Sequence, residues 1–304
     1  PNGGRIAQTS ADMHKIEQWL LRQPQVTSLS SHIGESAPRF SVTVEPEPFD
    51  SSYGQILINT RSYEDIATLT AAGDAWLQAE FPYAEPRFRP LKLATKDKFA
   101  IEARFVGPDP QQLHRLANEA KRRLAANPHL IYIRDNWRQE SKVLVPLINQ
   151  DAARIAGINR ADIANAITRA TDGNLIGQMR RDDDLIPIKL RSSNANLAQF
   201  DNIPVRSLLG SHSVPMGQVV DGIEFKGEES MRWRYNRQPA ITVQGDVRGD
   251  TPSNVRKAIA RELEAIPLPP GYTMAWGGEY YDEKRSVDDL MTQTPKAMVL
   301  MTII

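Results

Sequence analysis

The sequence predicts an α+β protein built from two helix-on-sheet units, with a mixed α/β module spliced into the second. Three observations carry this expectation. Four amphipathic helical stretches each run into a proline and then into a short β-rich segment: residues 13–23 before Pro24, 66–81 before Pro82, 113–127 before Pro128 and 255–266 before Pro267. A helix with one apolar stripe buries it against a sheet, which leaves the sheet's other face open for binding. The strand-helix-strand order also breaks off after residue 150 and resumes near residue 238, as an insertion requires.

Taken in order, the first helix leads into residues 26–33, where Leu29 and Ile33 alternate with Ser28, Ser30 and His32. Residues 55–59 set Ile56 and Ile58 against Gln55, Leu57 and Asn59, again giving one apolar and one mostly polar face. Between them, residues 34–52 (GESAPRFSVTVEPEPFDSS) form a Gly-, Pro- and Ser-rich loop too long for a tight hairpin, a length that marks functional or disordered loops. After the second helix, residues 99–105 alternate Phe99, Ile101, Ala103 and Phe105 with Ala100, Glu102 and Arg104. Gly107-Pro108-Asp109-Pro110 ends that strand. Asp109 can cap the third helix and Pro110 suits its first turn, and Leu113, Leu116, Ala117, Ala120 and Leu124 share one stripe. Residues 130–133 and 142–148 read as strands, the latter an edge or a bulge because of Pro146. Residues 151–156 and 161–171 read as short helices stopped by Gly157 and Gly173 in the left-handed cap position. Short strands and turns fill 174–237, among them 185–190, 214–216 and 231–235. Residues 241–244, the helix opened by Thr251-Pro252 with Val255, Ile259, Leu263 and Ile266 on its stripe, and residues 272–276 complete the interrupted unit.

Composition excludes several functions. The chain has 304 residues, enough for about two domains, and 40% hydrophobic content allows real cores. Lys plus Arg and Asp plus Glu both count 37, so no net field attracts nucleic acid or an anionic membrane. The absence of cysteine rules out disulfides and thiolate metal sites. His14, His32, His114, His129 and His212 lack partners at metal-ligand or triad spacing, and no phosphate loop or nucleophile elbow occurs. No cofactor and no catalytic residue are expected. Asp182-Asp183-Asp184 beside Arg180-Arg181 reads as a solvated hairpin tip, and the methionines are scattered among different elements. Both ends read as cut: no Met precedes Pro1, and residues 296–304 are an apolar run without a cap. That run reads as a last core helix or strand, or as the first turns of a membrane helix, although alone it is shorter than the roughly 20 residues a bilayer needs.

Residues 141–172 (SKVLVPLINQDAARIAGINRADIANAITRATD) resemble the large periplasmic loop of resistance-nodulation-division (RND) exporters, through Gln150-Asp151-Ala152, Ala156-Gly157-Ile158 and Asp162-Ile163. Pro1-Asn2-Gly3-Gly4, Ala37-Pro38-Arg39-Phe40, Leu268-Pro269-Pro270-Gly271-Tyr272 and Gly277-Gly278-Glu279 extend the likeness over nearly the whole chain. It implies the second periplasmic loop of an AcrB-type hydrophobe/amphiphile exporter in a Gram-negative inner membrane, with no enzymatic role. The implied layout is two ferredoxin-like porter subdomains, one at 1–108 and one at 109–150 plus 238–280, a docking subdomain at 151–237, and 281–304 leading to the eighth membrane span. Implied partners are small amphiphilic substrates, two further copies in a homotrimer, a periplasmic adaptor and an outer-membrane channel. Loop 34–52 matches the family's switch loop by position. The implied binding residues are Ser30, His32, Gly34, Glu35 and Phe40, with Gln55 and Leu57 beside them, and Phe99 and Ile101 facing Leu144 and Pro146 across a cleft. Phe99 and Ile101 read equally as ordinary core. Ser30, His32, Glu35 and Ala37 stand where drug-exporting relatives carry aromatics, which implies more polar cargo. No methionine lies between Met13 and Met179, so the thioether cluster of metal-exporting relatives, and with it heavy-metal export, is not expected. Two alternatives remain: a ferredoxin-like nucleotide-processing enzyme, because Gly277-Gly278-Glu279 is similar to a nucleotide cyclase signature, and a periplasmic adaptor without a cargo pocket.

Overall fold

A computed structural model describes residues 3–41, 44, 46–91, 99–192, 197–207, 210, 212–229 and 231–303, with side chains omitted at 197–199 and 295–303. Pro1-Asn2 and the side chains of the terminal apolar run, both singled out above, lie outside the described residues. The chain forms two compact units, one of residues 1–141 with 229–304 and the other Lys142–Glu228.

The first unit opens with α1 (Ile6–Leu20), β1 (Val26–Ile33), β2 (Gly54–Thr60), α2 (Glu64–Glu80), β3 (Ile101–Val106), α3 (Pro110–Leu124) and β4 (Leu130–Asp135). β1 and β2 pair antiparallel, with Ser28 opposite Asn59, Ser30 opposite Leu57 and His32 opposite Gln55. α1 starts seven residues before the expected position 13, because nothing in the sequence marks the start: Arg5 at the N-cap makes no side-chain capping bond. A methyl group on Gly54 would lie 2.5 Å from Met13 Sδ, so the absence of a side chain there lets α1 sit on the sheet.

The second unit is β5 (Ser141–Ile148), α4 (Gln150–Ile155), α5 (Arg160–Thr171), the hairpin β6 (Asn174–Arg181) and β7 (Asp184–Leu190), the pair β8 (Pro204–Arg206) and β9 (Ser213–Pro215), and β10 (Val220–Glu228). Asn149 and Asn159 cap the two helices, Asn159 in a reciprocal capping box with Asp162. Gly157 (φ 61°) and Gly173 (φ 82°) take the left-handed conformation expected of them. Ile163, Val205, Met216 and Val219 centre its core. The spliced module was expected at 151–237; the compact unit runs 142–228 because β5 pairs with β10 and so closes it at both ends.

The chain then returns to the first unit as β11 (Arg234–Tyr235), β12 (Gln238–Val247), α6 (Pro252–Glu264), β13 (Thr273–Gly278) and α7 (Glu279–Ile303). The second sheet runs β11-β12-β3-β13, with β4 also on β12. β3 therefore belongs to this sheet, whereas the layout read from sequence put residues up to 108 in the first subdomain. Its partners are over 130 residues away in the chain, Val243 for Ala103 and Trp276 for Ala103 on the other side, and local alternation carries no record of such pairing. α3 and α6 cover one face of this sheet, burying Leu113, Leu116, Leu124, Val255, Ile259 and Leu263 against Ala103, Phe105, Ile241 and Val243. Each large aliphatic buried this way contributes roughly 1.5–3 kcal/mol. Asp109 accepts from Gln111 N at 3.0 Å with Pro110 in the first turn, and Thr251 caps α6 the same way. Among the described residues no helix is long and apolar enough to cross a membrane.

Candidate functional site

The first sheet presents the face that the sequence reading singled out. Ser28, Ser30 and His32 on β1 share it with Asn59, Leu57 and Gln55 on β2. Asn59 Nδ2 donates to Ser28 Oγ at 2.9 Å, and Ser30 Oγ lies 3.3 Å from His32 Nε2. Gln55 Oε1 accepts from Ala37 N at 2.8 Å, tying this face to the loop that follows β1. Gly34, at φ 83°, turns the chain into that loop, where Phe49 and Ile6 close over it. Its N donates to Tyr53 O and its carbonyl accepts from Asp50 N, both at 2.8 Å, which closes the loop's base. Ser36 Oγ accepts from Glu47 N at 2.7 Å. Beyond this anchor Glu35 is exposed and Phe40 is 49% exposed. Val42, Thr43 and Glu45 of the loop lie outside the described residues. The face is thus one imidazole among hydroxyls, carboxamides and a leucine, a set that offers many weak contacts.

The remaining expected residues are placed differently. Ile101 is 2% exposed, in the core beneath α3 and α6. By strand alternation the open face of β3 is presented by Glu102 and Arg104 instead, with Gln244 Nε2 donating to Glu102 Oε1 at 2.9 Å and the Arg104 guanidinium 4.3 Å from the Tyr235 ring centroid. Phe99 is 1% exposed, with the guanidinium groups of Arg87 (3.9 Å) and Arg134 (4.7 Å) over its ring. Arg87 pairs with Asp246 at 2.7 Å. Burial lowers the pKa of both arginines, and for Arg87 the Asp246 carboxylate opposes that shift. Leu144 and Pro146 belong to the other unit, where Leu144 packs on that unit's core. The structure therefore gathers Ser30, His32, Gln55 and Leu57, with Gly34 and Glu35 at the edge, into one face, and puts Ile101 and Leu144 in two separate cores.

Sequence reasoning missed the polar joint within the first unit. Asp74, in the buried stripe of α2 with Leu69, Gly73 and Leu77, accepts hydrogen bonds from the Tyr132 hydroxyl and from Arg248. The Tyr132 hydroxyl is pushed up to about 12, first by burial and then by Asp74. Arg138 also reaches from beyond β4 to Asp50 in the loop, at 3.3 Å. An acid inside a helix's apolar stripe was the available signal. The histidines are dispersed, His114 against Glu229 at 2.6 Å and His212 against the Ala156 carbonyl at 2.7 Å. Among the described residues no three His, Cys, Asp or Glu side chains could hold a metal ion together. Gly277 and Gly278 end β13, Gly278 at φ 65°, and Glu279 directly opens α7.

Two helix-backed sheets and a module spliced into the second form the periplasmic porter fold of RND efflux pumps. The chain belongs to the AcrB/AcrD/AcrF family, whose sequence pattern matches residues 1–304. It is 22% identical to the cobalt-zinc-cadmium resistance protein CzcA of Cupriavidus metallidurans over 74% of this chain and 22% of that protein. It is 23% identical to the nickel and cobalt resistance protein CnrA of the same organism over 98% of this chain and 29% of that protein. Protein HelA of Legionella pneumophila is 24% identical over 69% of this chain and 20% of its own length. The crystal structure of a heavy metal efflux pump superposes with a TM-score of 0.76 over 99% of this chain and 32% of the pump, at 18% identity. The chain thus spans less than a third of the length of these relatives. The AcrB-type, amphiphile-exporting branch expected from sequence is not the one these relatives represent, since CzcA and CnrA are named for metal resistance.

Proposed function

We propose that this chain is the cargo-binding and conduit portion of a proton-driven RND exporter, standing in the periplasm of a Gram-negative cell and working as a homotrimer with an adaptor and an outer-membrane channel. The observation that carries this is the family match over residues 1–304, together with a shared fold over 99% of the chain. On this reading α1 to α2 form the first porter subdomain, the second sheet with α3 and α6 the second, and Lys142–Glu228 the docking module. Cargo meets the open face of Ser30, His32, Gln55 and Leu57. An exporter needs weak, broad contacts whose strength differs between two shapes of the site, because only differential affinity shifts such an equilibrium.

Polar or amphiphilic organic cargo fits the donor set best. A second reading, export of divalent metal ions, is favoured by the names of CzcA and CnrA, and against it stand the missing cysteines, the lack of methionine between 13 and 179, and the absence among described residues of a three-ligand group. The test is to express the full gene in an efflux-deficient host and measure susceptibility to a panel of amphiphiles and, separately, to zinc, cobalt, nickel and cadmium salts. The expected result is several-fold protection against amphiphiles that Ser30→Ala/His32→Ala/Gln55→Ala reduces without lowering protein level. Protection against metals alone establishes the second reading, and no protection against either class defeats both.

A further inference from the structure

The hairpin of β6 and β7 is a two-stranded sheet with no third strand among the described residues. Its register puts Met179, Ile188 and Leu190 on one face and Leu175 and Leu185 on the other, with Ile176 at the irregularity between Leu175 and Gly177. All six are 46–63% exposed. A lone two-stranded ribbon is marginal in water, so apolar side chains on both of its faces call for a covering surface. At the turn Arg181 lies opposite Asp184, which leaves Asp182 and Asp183 at the tip. Arg180 turns its Nε to the Asp182 carbonyl at 3.2 Å, and among the described residues neither the Asp182 nor the Asp183 carboxylate has a partner.

The complementary chemistry lies at the other end of the same unit. A cavity of about 200 Å³ between α5, the start of β6 and β8 is lined by Arg169 and Arg206, with Asn165 and Asn174 beside them. Arg169 Nη2 donates to the Pro204 carbonyl at 2.7 Å, which fixes its guanidinium on β8. The Arg206 guanidinium is exposed and has no partner among the described residues. Asp162, the one acid of the lining, is 1% exposed and accepts from Asn159 N at 2.9 Å in the capping box of α5. Every charged residue of Lys142–Glu228 is among those described, so no further charge of this unit alters the balance. β6 begins at Asn174 in the pocket wall and has 8 residues, so the tip of the same hairpin stands about 25 Å away, beyond reach of its own pocket.

We propose that the Arg169/Arg206 pocket receives the acidic hairpin tip of a second copy of this chain, Asp182 and Asp183 pairing with the two guanidinium groups while the apolar ribbon behind the tip is covered by the copy it enters. Pocket and tip are different surfaces, so the contact is head-to-tail, and repeating it closes a ring when the rotation fits. The contact rests on the homotrimer reading given above and names the residues that would join its copies.

The test uses the full gene product in the membrane of the efflux-deficient host, expressed as two differently tagged copies, one with Asp183→Cys and the other with Arg206→Cys, and treated with a short bismaleimide. Both positions are exposed and without partners among the described residues, so neither substitution removes a described contact of the fold. The expected result is a product carrying both tags that neither single variant nor the parent forms. Arg169→Glu in the Arg206→Cys copy lowers its yield by about tenfold, as like charges set against each other imply. Asp182→Arg in the Asp183→Cys copy restores the yield, a rescue that misfolding does not give. Glutaraldehyde reports association at any position. Glutaraldehyde-trapped dimers and trimers without the two-tag product overturn this contact and leave the homotrimer reading standing, whereas absence of both kinds of product overturns both. A product between two Asp183→Cys copies, or one joining Asp183→Cys to a different protein in place of a second copy, also overturns the proposal.

Discussion

Asp74→Ala tests whether one carboxylate holds α2 to the second sheet. Asp74 is 8% exposed and accepts from the Tyr132 hydroxyl on β4 and from Arg248 just beyond β12. A hydrogen bond to a charged acceptor contributes roughly 1.5–3 kcal/mol. The Arg248 side chain is 48% exposed, so its ion pair adds at most about 1 kcal/mol. Asp74→Ala therefore destabilises the first unit by about 2–4 kcal/mol, and Tyr132→Phe, which keeps the Arg248 pair, by about 1–2 kcal/mol. Because both variants break the same bond, the double variant falls short of their sum by about 1–2 kcal/mol. Urea unfolding followed by tryptophan fluorescence measures this, with Trp76 on α2 as the local reporter. A cycle additive to within about 0.3 kcal/mol refutes the shared bond. The same contact sets an alkaline limit: Tyr132 holds its proton up to about pH 12 in the folded chain, against roughly 10 when unfolded. Its stabilisation is complete below the unfolded value and is lost as pH rises toward the folded one. In Asp74→Ala the phenolate band of Tyr132 appears at lower pH, and an unmoved band counts against the contact.

Three further substitutions probe other parts of the fold. Gly34→Ala forces a Cβ into a φ of 83° and within 3.1 Å of both Phe49 and Ile6, which destabilises the loop base by about 1–2 kcal/mol, read from the urea midpoint. Trp137→Phe removes a fully buried indole whose Nε1 donates to the Ala240 carbonyl at 2.8 Å, an expected loss of about 2–3 kcal/mol in the same assay. Asn159→Ala breaks the capping box and weakens the Lys142–Glu228 unit by about 1 kcal/mol, visible as faster amide exchange across α5 while α3 is unchanged.

Local signals reported local structure well. The alternation over 26–33 gave β1 to the residue, and Asp109-Pro110 and Thr251-Pro252 marked the starts of α3 and α6, because capping chemistry acts within three residues of its own position. The stripe from Leu113 to Leu124 is buried as expected. Partner choice was illegible wherever it spans the insertion. β3 alternates equally well for either sheet, and only contact with β12 and β13 decides between them. β10 was not recognised as a strand, since most of its side chains beyond Val220 are exposed and its pairing with β5 closes a unit that no local pattern delimits. Of the candidate site, the residues on β1 and β2 were found because period-two alternation names a face. Ile101 reads from sequence as cleft wall or as core, and the structure gives the core, with Glu102 and Arg104 on the other side of β3, because alternation assigns both sides but not which one the helices cover.

The kind of joint between the two sheets of the first unit follows from what fills it. Among the described residues the core beneath α3 and α6 contains none before Ile101, so the described part of the first sheet and its helices is not in that apolar mass. The links across that the described residues show include polar ones: Asp74 with Tyr132 and Arg248, Arg87 with Asp246, Arg138 with Asp50. β4 is bent to make one of them. Ile131 pairs with Asp246 and Arg134 with Gln244, so two residues of β4 face Gly245, and Tyr132 takes a φ of 54° at this bulge. That backbone is unfavourable by about 1–2 kcal/mol for a residue with a side chain, a strain offset by the bond it aims at Asp74. Polar groups that separate can exchange one another for water, so their net contribution is small compared with burying the same area of carbon. A joint of this composition fixes register through geometry while opening at modest free-energy cost, which is the mechanical requirement that the proposed export cycle places on neighbouring porter subdomains.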